Sequence, residues 1–336
     1  MPEKLDDAEE IIFTWEETCV RRPVIGLVNK DTDQGRYAYW PRFERFLHNN
    51  NLTYKIISIE HANWVEQLQD IDILVWRPDS NPAKLAEAKT KIHFVSSILK
   101  KVTCPSDIDL WYYEDKIRQY YLLANYQLPV VNTFISHDYK ETLEFLEQTK
   151  YPLIFKENIA YASNGVVLVT NKRQAQQITK KIFNQGYKTY WQYLLQKNVV
   201  YFQDFIPSCQ YDLRVIVIGE YFWGYYRRVP PRDFRASGAW NVDKRGLPST
   251  AMLLARRVKQ ALQASFLAVD MIKADDASEY QIIEVSTFIQ IISAEQLIVD
   301  GEPGRYLYQD GEFIFQKGRF WIQELMLAET IKLWQG

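Results

Sequence analysis

Tyr211-Asp212-Leu213-Arg214-Val215-Ile216-Val217-Ile218-Gly219-Glu220 alternates charged and apolar side chains and then closes on a Gly-Glu turn. That is the pattern of a strand that lays one face on a core. In an extended chain Asp212 and Arg214 share one face while Leu213 and Val215 take the other. The text continues through Arg227-Arg228, a Pro-Pro loop and Asp233-Phe234-Arg235, so cations surround two adjoining strands. Downstream, Ala268-Val269-Asp270-Met271-Ile272 and Gln281-Ile282-Ile283-Glu284-Val285 each set one carboxylate inside an apolar strand. A lone charge there is costly to bury without a partner. A divalent cation would serve, and so would an arginine.

The chain has 336 residues, enough for two or three lobes with clefts between them rather than a single core. Aromatic residues make up 15% and charged residues 24%, and no apolar run approaches the length of a membrane span. A soluble protein is expected. Lys plus Arg (40) nearly balances Asp plus Glu (42), so no global field favours nucleic acid or an anionic membrane, and any anion site must be local. Residues 1–10 are acidic and polar, without the basic flank and apolar core of a signal peptide, which points to the cytoplasm. Cys19, Cys104 and Cys209 are far apart and odd in number, as reduced thiols are. His48, His61, His93 and His137 stand in no metal or nucleophile motif, leaving little for a zinc hydrolase or a Ser/His/Asp enzyme.

The pattern predicts strands over 24–28, 54–59 and 71–76 alternating with helices over 39–48 and 82–100, hence a small open α/β domain with a parallel sheet. A helix over 112–125 follows. Strands over 152–155 and 166–169 flank a polar loop ending at Gly165, and a helix over 172–184 and a strand over 199–206 complete a second lobe. From residue 212 longer antiparallel strands are expected at 213–218, 221–228, 266–272 and 281–285, with a helix over 249–264. The end of the chain reads as a hairpin about Asp310-Gly311 and a helix over 321–334, which would cover a sheet or meet a second copy in a homodimer. The division expected is 1–108, 109–205 and 206–336. There is no internal repeat or low-complexity segment.

Lys156 ends a strand beside a polar loop whose backbone N–H groups and ammonium can approach phosphate oxygens, though a strand-end lysine is ordinarily just solvated. Gln203, Asp204, Phe205 and Ile206 offer backbone donors and acceptors next to an apolar wall, as an adenine edge requires, or else form a plain core strand. Arg227 and Arg228 point to opposite faces, so at most one enters a cleft; Arg228 and Arg235 flank the Pro-Pro loop, from which a guanidinium can follow charge on a transferring phosphoryl group. Asp270 and Glu284 on neighbouring strands suit Mg²⁺ completed by water and phosphate oxygens, the alternative being carboxylates paired with arginine. The aromatic run 221–226 is read as core packing.

In this order, Lys156, Gln203 to Ile206, Asp212-Leu213-Arg214, Arg235, Asp270 and Glu284, the sequence resembles the ATP-grasp superfamily, in particular ligases of the RimK and glutathione-synthetase type, over about residues 110 to 290. The resemblance implies an α/β (α+β) ATP-grasp fold behind an N-terminal open α/β domain. It implies ATP as cofactor with Mg²⁺ (or Mn²⁺) beside it. Lys156, with Ser163 and Gly165 of the loop, would reach the phosphates, Gln203, Asp204, Phe205 and Ile206 would hold the adenine, and Asp212 would stand near the nucleotide. Arg235 and Arg228 would be the catalytic cations, while Asp270, Glu284 and Ser286 would hold metal. Three departures stand out. Ser286 replaces the usual asparagine, the arginine loop reads Arg235-Ala236-Ser237-Gly238 rather than Arg-x-Asn, and the loop Ala160-Tyr161-Ala162-Ser163-Asn164-Gly165 has a single glycine.

The activity this implies is ligation: ATP phosphorylates a substrate carboxylate, and an amine attacks the acyl phosphate to give an amide, ADP and phosphate. The partners expected are small-molecule or peptide carboxylate and amine substrates. A kinase acting on a hydroxyl, and a nucleotide-binding protein without turnover, remain as alternatives.

Overall fold

The computed structural model describes residues 21–30, 39–160, 163–207, 209–230, 233–235, 242–274, 279–289 and 297–335. Residues 1–20, including Cys19 and the acidic start, fall outside them, as do Tyr161, Ala162 and residues 236–241.

The first sheet contains β1 (Ile25–Leu27), β2 (Tyr54–Ile56), β3 (Ile73–Val75) and β4 (Val102–Cys104) in the order β2-β1-β3-β4, every pair parallel. Parallel strands need crossovers, here α1 (Trp40–Asn49) and α2 (Pro82–His93). Asn81 caps α2, its side chain accepting from Ala83 N at 3.0 Å, and Pro82 follows at the first helical position, where its missing N–H costs nothing. The helical text expected to run to residue 100 passes instead into a π-turn over Phe94–Ile98. The helix expected over 112–125 is two helices, α3 (Asp107–Tyr112) and α4 (Lys116–Asn125). They break at Glu114, whose φ of 54° is left-handed and cannot continue a helix.

The second sheet is built from β5 (Thr133–Ser136), β6 (Leu153–Lys156) and β7 (Val166–Val169), joined by β10 (Val200–Asp204) after the short β8 (Tyr187–Lys188) and β9 (Leu195–Gln196) pair. Its order is β5-β10-β6-β7. α5 (Tyr139–Gln148) and α6 (Lys172–Phe183) bury Leu146, Ala175, Ile178 and Ile182 against Phe155 and Phe202.

The third sheet is antiparallel and follows the opening text. β11 (Tyr211–Ile218) turns through Gly219 into β12 (Tyr221–Arg228); β13 (Val242–Asp243), β14 (Phe266–Ile272), β15 (Gln281–Ser286), β16 (Leu297–Val299), β17 (Glu302–Gln309) and β18 (Glu312–Lys317) complete it. The path is β15-β14-β11-β12-β17-β16. Leu213, Val215, Val217, Phe222, Leu267, Val269 and Val285 take one face, under α7 (Ser249–Ala261). The opposite face carries Asp212, Arg214, Arg227, Asp270 and Glu284 at one end and Ile216, Ile218, Trp223 and Phe266 at the other. That apolar end joins the core of the first sheet through α8 (Ile322–Gln335).

α8 is apolar almost all round, as a helix held between two layers must be. Its Glu324, fully buried, is compensated by Arg45 at 2.7 Å. The C-terminal helix therefore covers a sheet within its own chain. No helix among the described residues is long and apolar enough to cross a membrane.

The segment 129–132 fixes the second sheet beside the third. Ile282 N donates to Pro129 O at 2.7 Å, and Val131 N to Ile282 O at 3.2 Å. Asp204 N donates to Asn132 O at 2.9 Å. The end of β10 is thereby held next to β15 at Ile282, two positions before Glu284.

Candidate active site

Between the second and third sheets lies a cleft open to solvent, concave and partly apolar as small-molecule sites are. Ile154, Val166, Phe205, Ile272 and Ile283 supply apolar walls, and Lys116, Lys156, Arg227, Asp270 and Glu284 are among its charged lining.

One wall is cationic. Lys156, the last residue of β6, is 8% exposed with its ammonium 5.9 Å from the Tyr201 ring centroid. Burial drives its pKa down to about 8, Lys116 adds to the shift, and Glu284 and Asp270 oppose it. Lys116 opens α4. Asp115 caps that helix by accepting from Arg118 N at 3.0 Å. Lys116 N donates to Asn158 O, and Ile117 N to the Asn158 side chain at 2.9 Å. Lys116 Nζ then reaches Ala160 O at 2.5 Å. A cation in the first turn opposes the helix dipole, and here the loop after β6 supplies its counterpart. Ser163 of that loop has φ of 59° and Gly165 of 70°, and a Cβ on Gly165 would meet the Glu157 carboxyl at 2.5 Å. The loop's one glycine therefore sits where both backbone and space demand it.

The facing wall is anionic but compensated. Register puts Asp270 opposite Arg214 and next to Glu284, and Asp212 opposite Arg227. Arg214 donates to both oxygens of Asp270. Arg227 donates to both oxygens of Asp212, at 2.5 and 2.8 Å, and lies 2.9 Å from Asp270. Burial raises the Asp270 carboxyl, but Arg214 and Arg227 outweigh it and hold the group well below the usual carboxylate range. For Asp212 burial prevails, with Asp270 adding to it, and the pKa rises to about 6 despite Arg227. Arginine is thus what makes Asp270 tolerable in an apolar strand, the second of the two partners that the sequence left open.

Glu284 lines the cleft and forms no hydrogen bond or ion pair among the described residues. Ser286 lies off the lining, its hydroxyl donating to Phe288 O at 2.7 Å. No group of three His, Cys, Asp or Glu among the described residues could enclose a metal. A donor set of one unengaged carboxylate beside an arginine-held one fits a cation that keeps water and takes phosphate oxygens, as Mg²⁺ does.

The end of β10 opens onto the cleft. The Gln203 side chain turns inward, donating to Thr133 Oγ1 at 3.0 Å, and the Asp204 carboxylate accepts from Asn132 Nδ2 at 2.9 Å. Phe205 and Ile206 lie past the last ladder pair and line the cleft. The Phe205 and Phe234 rings meet edge to face at 6.5 Å.

Lys156, Gln203, Asp204, Phe205, Ile206, Asp212, Ser163, Arg235, Asp270 and Glu284 are brought together on the lining. Arg235 lies at the rim, paired at 3.1 Å with Asp233, while Ala236, Ser237 and Gly238 lie outside the described residues. Gly165 is not on the lining and shapes the loop behind it. Arg228 is exposed and off the lining, 5.3 Å over the Tyr211 ring. The member of the pair that enters is Arg227, because Asp212 on the same sheet face draws it in. Sequence reading passed over Lys116, although a lysine directly after a capping aspartate runs against the dipole and was a usable signal. It also passed over Glu114. That residue's Oε2 is buried without a partner, and burial together with Glu284 raises its carboxyl to about 7 against Lys116, Arg77 and Arg214.

The comparisons agree with this geometry. A profile described as the RimK-like ATP-grasp domain matches residues 113–299, more than half of the chain. The α-aminoadipate–LysW ligase LysX of Saccharolobus solfataricus is 27% identical over 182 residues, which is 52% of this chain and 61% of that protein. The chain thus spans about three fifths of that relative's length. Among solved structures, D-cycloserine synthetase DcsG superposes with a TM-score of 0.62 at 13% identity, covering 92% of this chain and 99% of that one. The D-alanine–D-alanine ligase of Bacillus anthracis complexed with ATP gives a TM-score of 0.57 at 13% identity over 94% and 99%. At such identities the superpositions establish a shared fold, and with the profile match they settle the grouping: the chain belongs to the RimK-like ATP-grasp family.

Proposed function

We propose that the protein is an ATP-dependent carboxylate–amine ligase that works through an acyl phosphate. The observation that carries this reading is the opposition of Lys116 and Lys156 on one wall of the cleft to Asp270 and Glu284 on the other. Cations face carboxylates across space open to solvent, which suits a polyphosphate on the lysine side and a divalent cation on the carboxylate side. The ligase names of LysX and of the D-alanine–D-alanine ligase support the choice of reaction.

In this reading the Phe205 and Ile206 backbone receives the adenine between Ile154 and Ile283. Lys116, Lys156 and the N–H groups near Ser163 hold the phosphates. Glu284 and Asp270, with Ser286 behind them, would hold Mg²⁺, which when bound offsets phosphate charge. Arg214 and Arg227 fix the orientation of the Asp270 and Asp212 carboxylates. Arg235, at the rim, would follow charge on the transferring phosphoryl group. Catalysis of this kind is positioning and electrostatics and requires no side-chain nucleophile.

Trapping with hydroxylamine tests the proposal. The protein is incubated with Mg²⁺, ATP and each of the twenty L-amino acids or L-2-aminoadipate as carboxylate, and hydroxamate is read with iron(III). An acyl phosphate gives hydroxamate and stoichiometric ADP. A stable phosphoester without hydroxamate would show a kinase.

A further inference from the structure

Phe234 belongs to the connection between β12 and β13, on the third sheet, yet its ring meets that of Phe205 just past the end of β10, on the second. Both residues line the cleft, together with Ile154, Ile206, Ile272 and Ile283, so the ring belongs to the apolar part of the lining. It is only partly buried. An aromatic ring left open to a cleft offers a flat π surface, which a planar heterocycle covers well.

The next residue carries a cation into the same cleft. In an extended chain neighbouring side chains point to opposite faces, and a turn overrides that here. Asp233 N donates to Pro230 O at 3.1 Å. Asp233 Oδ1 accepts from Phe234 N at 2.7 Å and from Arg235 N at 3.1 Å, a side-chain turn of the kind aspartate favours. The same carboxylate grips the guanidinium, Arg235 Nε on Oδ1 and Nη2 on Oδ2, both at 3.1 Å. The Arg235 side chain is the main cause that lowers the Asp233 carboxyl to about 2, so this anchor is ionised at neutral pH. Arg235 Cζ lies 5.6 Å from the Phe234 ring centroid, and its Nη1 makes no hydrogen bond among the described residues. One carboxylate therefore sets both the ring and the cation, and whatever holds the ring also holds the guanidinium.

Resting on the nucleotide site of the ligase reading, we infer that Phe234 packs on the adenine and, through the Asp233 turn, positions Arg235 Nη1 for the terminal phosphate. Base and phosphate are then read by adjacent residues of one loop. Phe234 is a positioning residue for Arg235 as well as a wall for the base, and its ring, not merely its bulk, is what the base requires.

Calorimetric titration with the non-hydrolysable ATP analogue AMP-PNP and Mg²⁺ tests this on the full chain. The variants are Phe234→Tyr, Phe234→Leu, Arg235→Met and the double variant Phe234→Leu with Arg235→Met. Phe234→Leu should weaken binding about tenfold or more, as loss of a base–aromatic contact does, whereas Phe234→Tyr, which keeps the ring, should stay within about twofold. Arg235→Met should cost about tenfold in the wild-type background, as loss of a hydrogen bond to a charged group does. In the Phe234→Leu background it should cost less than about threefold, because a cation that has lost its positioning has little left to lose. Leucine binding as well as phenylalanine would overturn the base contact, and an equal cost of Arg235→Met in both backgrounds would overturn the positioning. A wild type that takes up no AMP-PNP would remove the nucleotide site itself, and the inference with it. Thermal unfolding of each variant separates loss of fold from loss of contact.

Discussion

The Arg214 guanidinium donates Nε to Oδ1 and Nη2 to Oδ2 of Asp270, both at 2.6 Å. The two residues are cross-strand partners on β11 and β14, so the sheet register itself sets this bidentate geometry. A carboxylate gripped in this way cannot rotate, so its orientation is fixed before any ligand arrives.

Replacing Asp270 by Asn should therefore damage both fold and function. The amide cannot accept from both arms, and Arg214 and Arg227 are left buried without their shared counter-charge. Breaking one side of such a buried pair costs roughly 3–5 kcal/mol, measurable as a lower urea midpoint with unchanged slope. A loss below about 1 kcal/mol would mean that the arginines find other partners.

Arg227 and Arg228 offer a contrast within one dipeptide. Arg227 holds Asp212 and Asp270, whereas Arg228 lies exposed over Tyr211. Arg227→Met should lower ATP turnover by about 10²-fold, as loss of a preorganised charge does. Arg228→Met should stay within about twofold, as exposed substitutions do. Steady-state ADP formation distinguishes the two; equal effects would remove Arg227 from the site.

Lys156 gives the pH dependence its sign. Its folded pKa of about 8 lies below the value of about 10.5 for a lysine in an unfolded chain. Between those values the unfolded chain binds more protons, so this group's contribution to stability rises with pH there and is constant below about 8. Nucleotide binding runs the other way, since the phosphates require the ammonium form. Affinity should fall as pH climbs through about 8, and binding at pH 8.5 should take up protons, seen as a buffer-dependent calorimetric enthalpy. Lys156→Arg, charged throughout, should bind without that uptake. Equal uptake in the variant would assign the proton elsewhere.

Gly224 tests the sheet that carries the site. A Cβ there would meet the Arg214 carbonyl oxygen at 2.3 Å and Leu247 at 3.1 Å. Backbone cannot give way as a flexible side chain does, so Gly224→Ala should push β12 from β11 and cost about 1–3 kcal/mol. Chemical denaturation reads the stability change, and a drop in nucleotide affinity should accompany it because Arg214 is displaced.

The period-two text of β11 and the apolar run of β14 exposed the third sheet, and the alternation in β11 the shared face of Asp212 and Arg214, because strand alternation is a local property. The parallel first sheet was legible for a similar reason, its short apolar runs alternating with helices. Pairing was not legible. Nothing local says that Asp270 lies opposite Arg214, or that Asp212 draws in Arg227 and leaves Arg228 outside, since both depend on inter-strand register. β5 and α5 went unread between clearer signals, and the break at Glu114 was hidden because it interrupts a sequence helical on either side. The lysine of that turn becomes a cleft residue only through Asn158 and Ala160, more than forty positions away.

The central claim is that a substrate carboxylate becomes an acyl phosphate in this cleft, and isotope transfer tests it most directly. The carboxylate giving the most hydroxamate is labelled with ¹⁸O in both oxygens and turned over with ATP, Mg²⁺ and hydroxylamine, and the released phosphate is examined by ³¹P NMR. The account predicts one ¹⁸O atom in each phosphate released. Phosphate without label, while ADP accumulates, would mean that water or another group receives the phosphoryl and would contradict it.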